Sequence, residues 1–171
     1  MRKLMMIVVV YFCLNANVFA IPVEVGDGVN SAYVYIEWAD TFVTEFDVRF
    51  GSDITDTTTG MGLLDIIETN TSLTTVRLSG GAFIDGFSYL EHVNIGFQGD
   101  DNWWHYWTME SDTAEWTSPW DYGAADRIIE NGDSDGWIYG RGTAVPEPTT
   151  IALLAIGGLL LRRPKASAFN S

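Results

Sequence analysis

Two short apolar runs, residues 4–14 and 151–161, confine any folded core to the stretch between them. The first follows a basic pair, Arg2 and Lys3, and leads to Val18-Phe19-Ala20, which puts small residues three and one positions before a cleavage point. That order predicts a secretory signal peptide over residues 1–20, removed after Ala20. Eleven apolar residues make about 16 Å of helix against roughly 30 Å of hydrocarbon, too short to favour a retained anchor. The chain's one cysteine, Cys13, lies inside this run, and Val10-Tyr11-Phe12 before it lacks the small residues of a lipidation site. The exported part therefore has no thiol, which excludes disulfides, cysteine nucleophiles and thiolate metal sites together.

The second run has its own frame. Val145-Pro146-Glu147-Pro148 precedes it and Arg162-Arg163-Pro164-Lys165 follows it. Pro146 and Pro148 lack amide donors and force extended backbone, separating the folded part from the segment beyond. Residues 149–161 would make about 20 Å of helix, short for a stable span unless the bilayer thins. Gly157-Gly158 weakens that helix further. Arg162, Arg163 and Lys165 should stay cytoplasmic, which places the preceding domain across the membrane from them. In the order of these three parts, residues 145–171 closely resemble the PEP-CTERM sorting tail of Gram-negative bacteria. The resemblance implies a substrate of an exosortase-type sorting enzyme that cuts at the Pro-Glu-Pro element. It also implies a transient hold in the inner membrane through the short C-terminal helix, then a place at the cell surface or outside. A simple tail anchor that is never cut is the alternative.

Residues 21–144 remain, the size of one domain and long enough to bury about two-thirds of their unfolded surface. Four arginines, no lysine and twenty-two acids give this stretch a net charge of −18, against −14 for the whole chain. Such a field repels nucleic acid and anionic lipid and favours cations, Ca²⁺ especially. Abundant aromatic residues set the stretch apart from a disordered acidic tail.

Periodicity predicts an α+β domain, mostly β. Tyr33-Val34-Tyr35-Ile36-Glu37-Trp38 and Glu45-Phe46-Asp47-Val48-Arg49-Phe50 read as strands, the second alternating cleanly. A polar loop over 51–60 leads to the one helical segment, 61–68, with Met61, Leu64 and Ile67 at helical spacing and Leu63 and Ile66 widening the stripe. Strands follow at 74–78 and 83–89, then a loop through Asp101 and an aromatic strand over 102–109. Short strands around Arg127-Ile128-Ile129 and Trp137-Ile138-Tyr139 finish the domain. Helix Gly62-Leu63-Leu64-Asp65-Ile66-Ile67, strand Phe83-Ile84-Asp85-Gly86-Phe87, strand Trp103-Trp104-His105-Tyr106-Trp107 and the glycine-rich close before Trp137 share order and residue type with a known family. Residues 46–139 resemble the bacterial domain family related to the C-terminal domain of transcobalamin. The resemblance implies a small β-grasp-like fold with the helix packed on one sheet face. In that family the domain covers a corrinoid held against a separate helical domain. Here that partner is missing from 21–144, Thr108-Met109-Glu110 replaces the usual Asn-Gly turn, and residues 91–101 form an extra loop. No corrinoid, and no cofactor, is therefore expected.

Catalytic groups are scarce. His92 and His105 are the two side chains able to act as a base near neutral pH without a large shift. No nucleophile elbow and no phosphate-cradling glycine loop occurs. Asn131-Gly132-Asp133-Ser134-Asp135-Gly136 matches the first half of a calcium loop, with oxygen ligands at Asn131, Asp133 and Asp135, but position twelve is Gly142, where a bidentate Glu is needed. The same residues suit a turn. Six of seven tryptophans fall between 103 and 137. Strand alternation groups Trp103, His105 and Trp107 on one face, and Trp104 and Tyr106 on the other. If the second set is core, the first is a ligand-binding aromatic row of the kind that stacks sugar rings; the plainer reading is that these tryptophans fill the core. The sequence thus predicts a non-enzymatic, surface-sorted binding module whose partner is an extracellular polysaccharide. The alternatives are a structural matrix component without a discrete ligand, or a polysaccharide hydrolase using an undefined carboxylate pair.

Overall fold

A computed structural model describes residues 21–99 and 102–140. The expected signal peptide and the expected sorting tail, with Val145, Pro146, Glu147, Pro148, Arg162 and Arg163, lie outside the described residues. The chain opens with β1 (Val23–Gly26), β2 (Asn30–Glu37) and β3 (Val43–Phe50). Strand β3 alternates as its sequence does: Phe46, Val48 and Phe50 are buried, while Glu45, Asp47 and Arg49 lie on the wetter face. It pairs antiparallel with β2 without a slip, from Asn30 opposite Phe50 to Glu37 opposite Val43. Asp56 closes the polar loop that follows, its Oδ2 accepting the Ser52 and Asp53 amides.

Two residues of β4 (Thr58–Thr59) then lead into α1 (Gly60–Asn70). Thr59 caps the helix, its hydroxyl accepting the Gly62 amide at 3.0 Å, a contact worth about 1 kcal/mol. Met61, Leu63, Leu64 and Ile67 are buried, so the stripe predicted from spacing is the packed face. Gly60 has to be glycine: a Cβ there would sit 2.6 Å from Asp135 Oδ2 and 2.9 Å from the Ala124 carbonyl. The meander β5 (Thr74–Leu78), β6 (Phe83–Tyr89) and β7 (His92–Ile95) follows, then β8 (Trp104–Met109), β9 (Ile128–Ile129) and β10 (Ser134–Tyr139).

The main sheet runs β1-β3-β2-β10-β8, with β2 and β10 parallel at its centre and β8 antiparallel at one edge. A hairpin of β2 and β3, a helix across its face, and a last strand, β10, returning parallel to β2 make this the expected β-grasp-like arrangement. The fold is α+β and mostly β, with the meander as a second sheet and β4 paired to β9 as a third. The principal core joins Val34, Ile36, Phe46, Val48 and Trp137 of the main sheet to Leu63, Leu64 and Ile67 of α1 and Phe87 of β6. On the opposite face Tyr35, Ile138 and Trp116 form a smaller cluster, with Tyr33, Trp107 and Met109 against it. Apolar cover on both faces explains why the aromatic strand carries rings at both parities.

Three expectations need correction. β7 interrupts the loop expected over residues 91–101: His92-Val93-Asn94-Ile95 alternates and pairs with β6 across a two-residue turn in which Leu90 adopts a φ of 55°. β1 was not expected at all, because four residues give too short a pattern; it is held parallel to β3, far along the chain. β10 starts at Ser134 rather than Trp137, so half of the stretch 131–136 is strand and only Asn131-Gly132 turns. Among the described residues no helix is long and apolar enough to cross a membrane.

Candidate functional site

Strand β8 is bonded to β10 on one side, with Trp107 opposite Gly136 and His105 opposite Ile138. On its other side, among the described residues, the one bridge is from Thr108 to Thr117, and residues 104–107 form a sheet edge. A groove of about 460 Å³ wraps that edge. Because it wraps an edge, side chains of both parities reach it: Trp103, Trp104, His105, Tyr106 and Trp107 all line it. Ser118, Pro119, Trp120, Tyr122 and Phe83 line it as well.

These rings differ in how firmly they are held. Trp104 is a core residue, edge-on to Phe87 at 4.7 Å and to Trp38 at 5.9 Å, with its indole Nε1 donating to the Asn94 carbonyl at 3.1 Å. Tyr106 packs on Trp137 at 5.0 Å and donates its hydroxyl to Asp135 Oδ2 at 2.8 Å. Trp107 joins the cluster of Tyr35, Trp116 and Ile138 on the opposite sheet face. Trp103, 38 % exposed, lies against the His105 ring at 3.9 Å. Trp120 is 98 % exposed, and Tyr122 is 36 % exposed. Trp103 and Trp120 thus both line the groove with ring surface left in water, which a flat, weakly polar ring can cover.

Electrostatics under the groove are strong, yet the described part of its lining is uncharged. Among the described residues none of the lining side chains is an Asp, Glu, Lys or Arg, although the domain holds twenty-two acids. The charge lies one layer deeper. Arg127, almost fully buried, meets Glu110 Oε1 at 2.6 Å, Asp135 Oδ1 at 2.9 Å and Asp133 Oδ2 at 3.7 Å. The Asp135 contact is an ion pair without hydrogen-bond alignment. Burial raises the pKa of Asp135 to about 7, against the lowering pull of Arg127 and of the Tyr106 hydroxyl. Burial, with Asp135 alongside, also pushes the Tyr106 hydroxyl far above its ordinary range. Tyr106 therefore stays protonated and links the groove wall to the buried charges.

The three oxygen groups considered for calcium have protein partners. Asn131 Oδ1 accepts the Ser31 amide at 2.9 Å; Asp133 accepts the amides of Ser111 and Glu130, each at 2.9 Å; Asp135 meets Arg127 and Tyr106. Those contacts explain their residue types, and among the described residues no group of three or more His, Cys, Asp or Glu is placed to hold a metal ion. The two histidines serve separate places: His92 Nδ1 meets Asp40 Oδ2 at 2.6 Å and its ring stacks on Phe42 at 3.7 Å, whereas His105 stays on β8.

Sequence reasoning grouped Trp103, His105 and Trp107 by alternation and overlooked Trp120, Tyr122 and Phe83. Trp120 had a signal of its own, a lone indole in the polar, proline-bearing run Ser118-Pro119-Trp120-Asp121, where no periodicity buries it. Comparison of the chain with protein-family models, curated proteins and solved structures returns no match. The site's meaning therefore rests on its geometry.

Proposed function

We propose that this chain is a non-enzymatic, surface-sorted binding module whose aromatic groove takes a neutral segment of extracellular polysaccharide. One observation carries the reading: Trp120, 98 % exposed, and Trp103, 38 % exposed, line a groove whose lining, among the described residues, includes no carboxylate and no arginine. An indole left in water costs hydrophobic free energy that a folded monomer has no reason to retain, and a sugar ring's C–H face recovers it. The order Pro146-Glu147-Pro148, short apolar run, Arg162-Arg163 supports the sorting half of the reading, with an exosortase-type enzyme and the inner membrane as its partners.

Affinity electrophoresis tests the binding half. Residues 21–144 should be retarded in gels containing neutral polysaccharide of the native extracellular matrix. Trp120→Ala and Trp103→Ala should each weaken retardation by about 1–3 kcal/mol, borrowing the scale measured for nucleic-acid bases stacked on aromatic side chains. Equal mobility with and without polysaccharide, or equal retardation of wild type and both variants, would refute it. Deleting residues 146–165 tests the sorting half and should release the domain from the membrane.

A further inference from the structure

The meander carries a second unexplained surface. Its strands alternate, so each row across the sheet puts one set of side chains inward and the next outward. Ile84, Phe87 and Tyr89 face the core. Facing away are Val76 and Leu78 of β5, Phe83 of β6, and Val93 and Ile95 of β7, all between 37 % and 53 % exposed. Val76, Gly86 and Ile95 form one row; Thr74, Ser88 and Val93 form the next. Gly86 makes the row flat, since a Cβ there would lie 2.7 Å from Ile95 Cγ1. The irregular step between Val76 and Arg77 keeps Leu78 and Phe83 on the same outer face. Arg77, the cation of β5, points to the helix, bound to Asp65 at 2.7 Å and Glu68 at 2.6 Å.

We infer that this face is an isologous interface, and that its occupant is a second copy of the same chain. In a two-fold pair every residue meets its own kind or its neighbours, so any acid on the face would be set against acids. The paired residues of the described strands place none there, and Asp85, which the irregular step leaves unpaired, sits beside Gly96 past the end of β7, in a domain with net charge −18. The face is thus the uncharged sheet surface across which two such acidic domains can approach. Its apolar part is of the order of 400 Å². Pairing two faces at the usual sheet-to-sheet spacing of about 10 Å removes roughly twice that plus a polar rim, close to the 1,000 Å² or so that a specific interface needs. The pair is therefore weak, with a dissociation constant in the micromolar range, and self-repulsion makes it salt-dependent.

The absence of cysteine from residues 21–144 supplies a direct probe, because one introduced thiol has no competitor. The described part of this fragment closes a core of its own. Sedimentation velocity of residues 21–144 between about 1 and 300 μM should show monomer passing to dimer, more completely in 0.5 M NaCl than in 0.05 M. Val93→Lys with Ile95→Lys should stay monomeric throughout, with a melting temperature close to the wild type's. Val93→Cys should form a disulfide-linked dimer under mild oxidation, and Val29→Cys, of similar exposure, should not. A wild type that is monomeric at 300 μM in 0.5 M NaCl, a double-lysine variant that still dimerises, or equal cross-linking of the two cysteine variants would overturn the proposal. So would a face occupied instead by a lipid surface, seen as Val93-dependent flotation of the monomer with phosphatidylcholine vesicles.

Discussion

The two larger sheets of this domain use the same amphipathic grammar with opposite results. In β3 the apolar residues Phe46, Val48 and Phe50 face inward and Glu45, Asp47 and Arg49 face out. In β5 the polar Thr75 and Arg77 face the helix, and the apolar Val76 and Leu78 face away. Arg77 decides this orientation: it bridges Asp65 and Glu68, and Glu68 Oε1 also accepts the Thr75 amide at 2.6 Å. Turning β5 over would carry Arg77 to the outer face and leave the carboxylate of Glu68, only 26 % exposed, without its guanidinium partner, which costs more than leaving two aliphatic side chains half exposed. Alternation therefore tells that a strand has two unlike faces; charged partners on the neighbouring element tell which face turns in. The main sheet spends its apolar surface on stability, whereas the meander and the groove keep theirs outside, available for contact.

That contrast predicts a graded response to substitution. The largest effects belong to the buried side. Arg127→Ala would strand Asp135 and Asp133 in the interior and should cost about 3–5 kcal/mol, read as the drop in urea-unfolding free energy. Trp104→Ala should cost a similar 3–5 kcal/mol by leaving a cavity between Phe87, Trp38 and Tyr139. Either variant unfolding as the wild type does would mean that the main sheet does not depend on these contacts.

A smaller, signed effect comes from Asp135. Its folded pKa of about 7 lies above the unfolded value near 3.9, so the folded state holds this proton more tightly. Its contribution to stability is full below about pH 4 and is lost as pH rises towards 7, with a limiting slope of about 1.4 kcal/mol per unit. Asp40, Asp53 and Asp56 act oppositely as pH falls, their pKa values lowered by hydrogen bonds from His92, Thr55 and Ser52. The melting temperature should therefore be highest in mildly acidic solution and decline towards pH 8. Asp135→Asn should flatten that decline; an unchanged slope would remove Asp135 from the account.

The smallest effects belong to the exposed side. Trp120→Ala should change stability by less than about 0.5 kcal/mol, since its ring touches little. Sodium chloride should raise the melting temperature modestly by screening the charge of −18. At equal millimolar concentration Ca²⁺ and Mg²⁺ should act alike, because Asn131, Asp133 and Asp135 are engaged with protein donors. A calcium-specific rise abolished by Asp133→Asn would restore the calcium reading.

Much of the fold was legible because its signals are local. Spacing alone gave the helix face of Met61, Leu64 and Ile67, and alternation gave β3. What escaped depended on distant partners. β1 is defined by pairing with β3, β7 by pairing with β6, and the early start of β10 by Tyr33 and Met109 on its two sides. At the site, alternation separated Trp103 and His105 from Trp104. It could not bring Trp120 to the groove, because a loop ring reaches its place through the fold and not through a period.

The most direct test of the groove is the fluorescence of Trp120 itself. Acrylamide quenching of residues 21–144 should show one highly accessible tryptophan, and neutral matrix polysaccharide should protect it. Trp120→Phe should lose both that quenchable component and its protection. Quenching of the wild type that is unchanged by saturating polysaccharide, or protection that persists in Trp120→Phe, would contradict the assignment of this groove as the binding site.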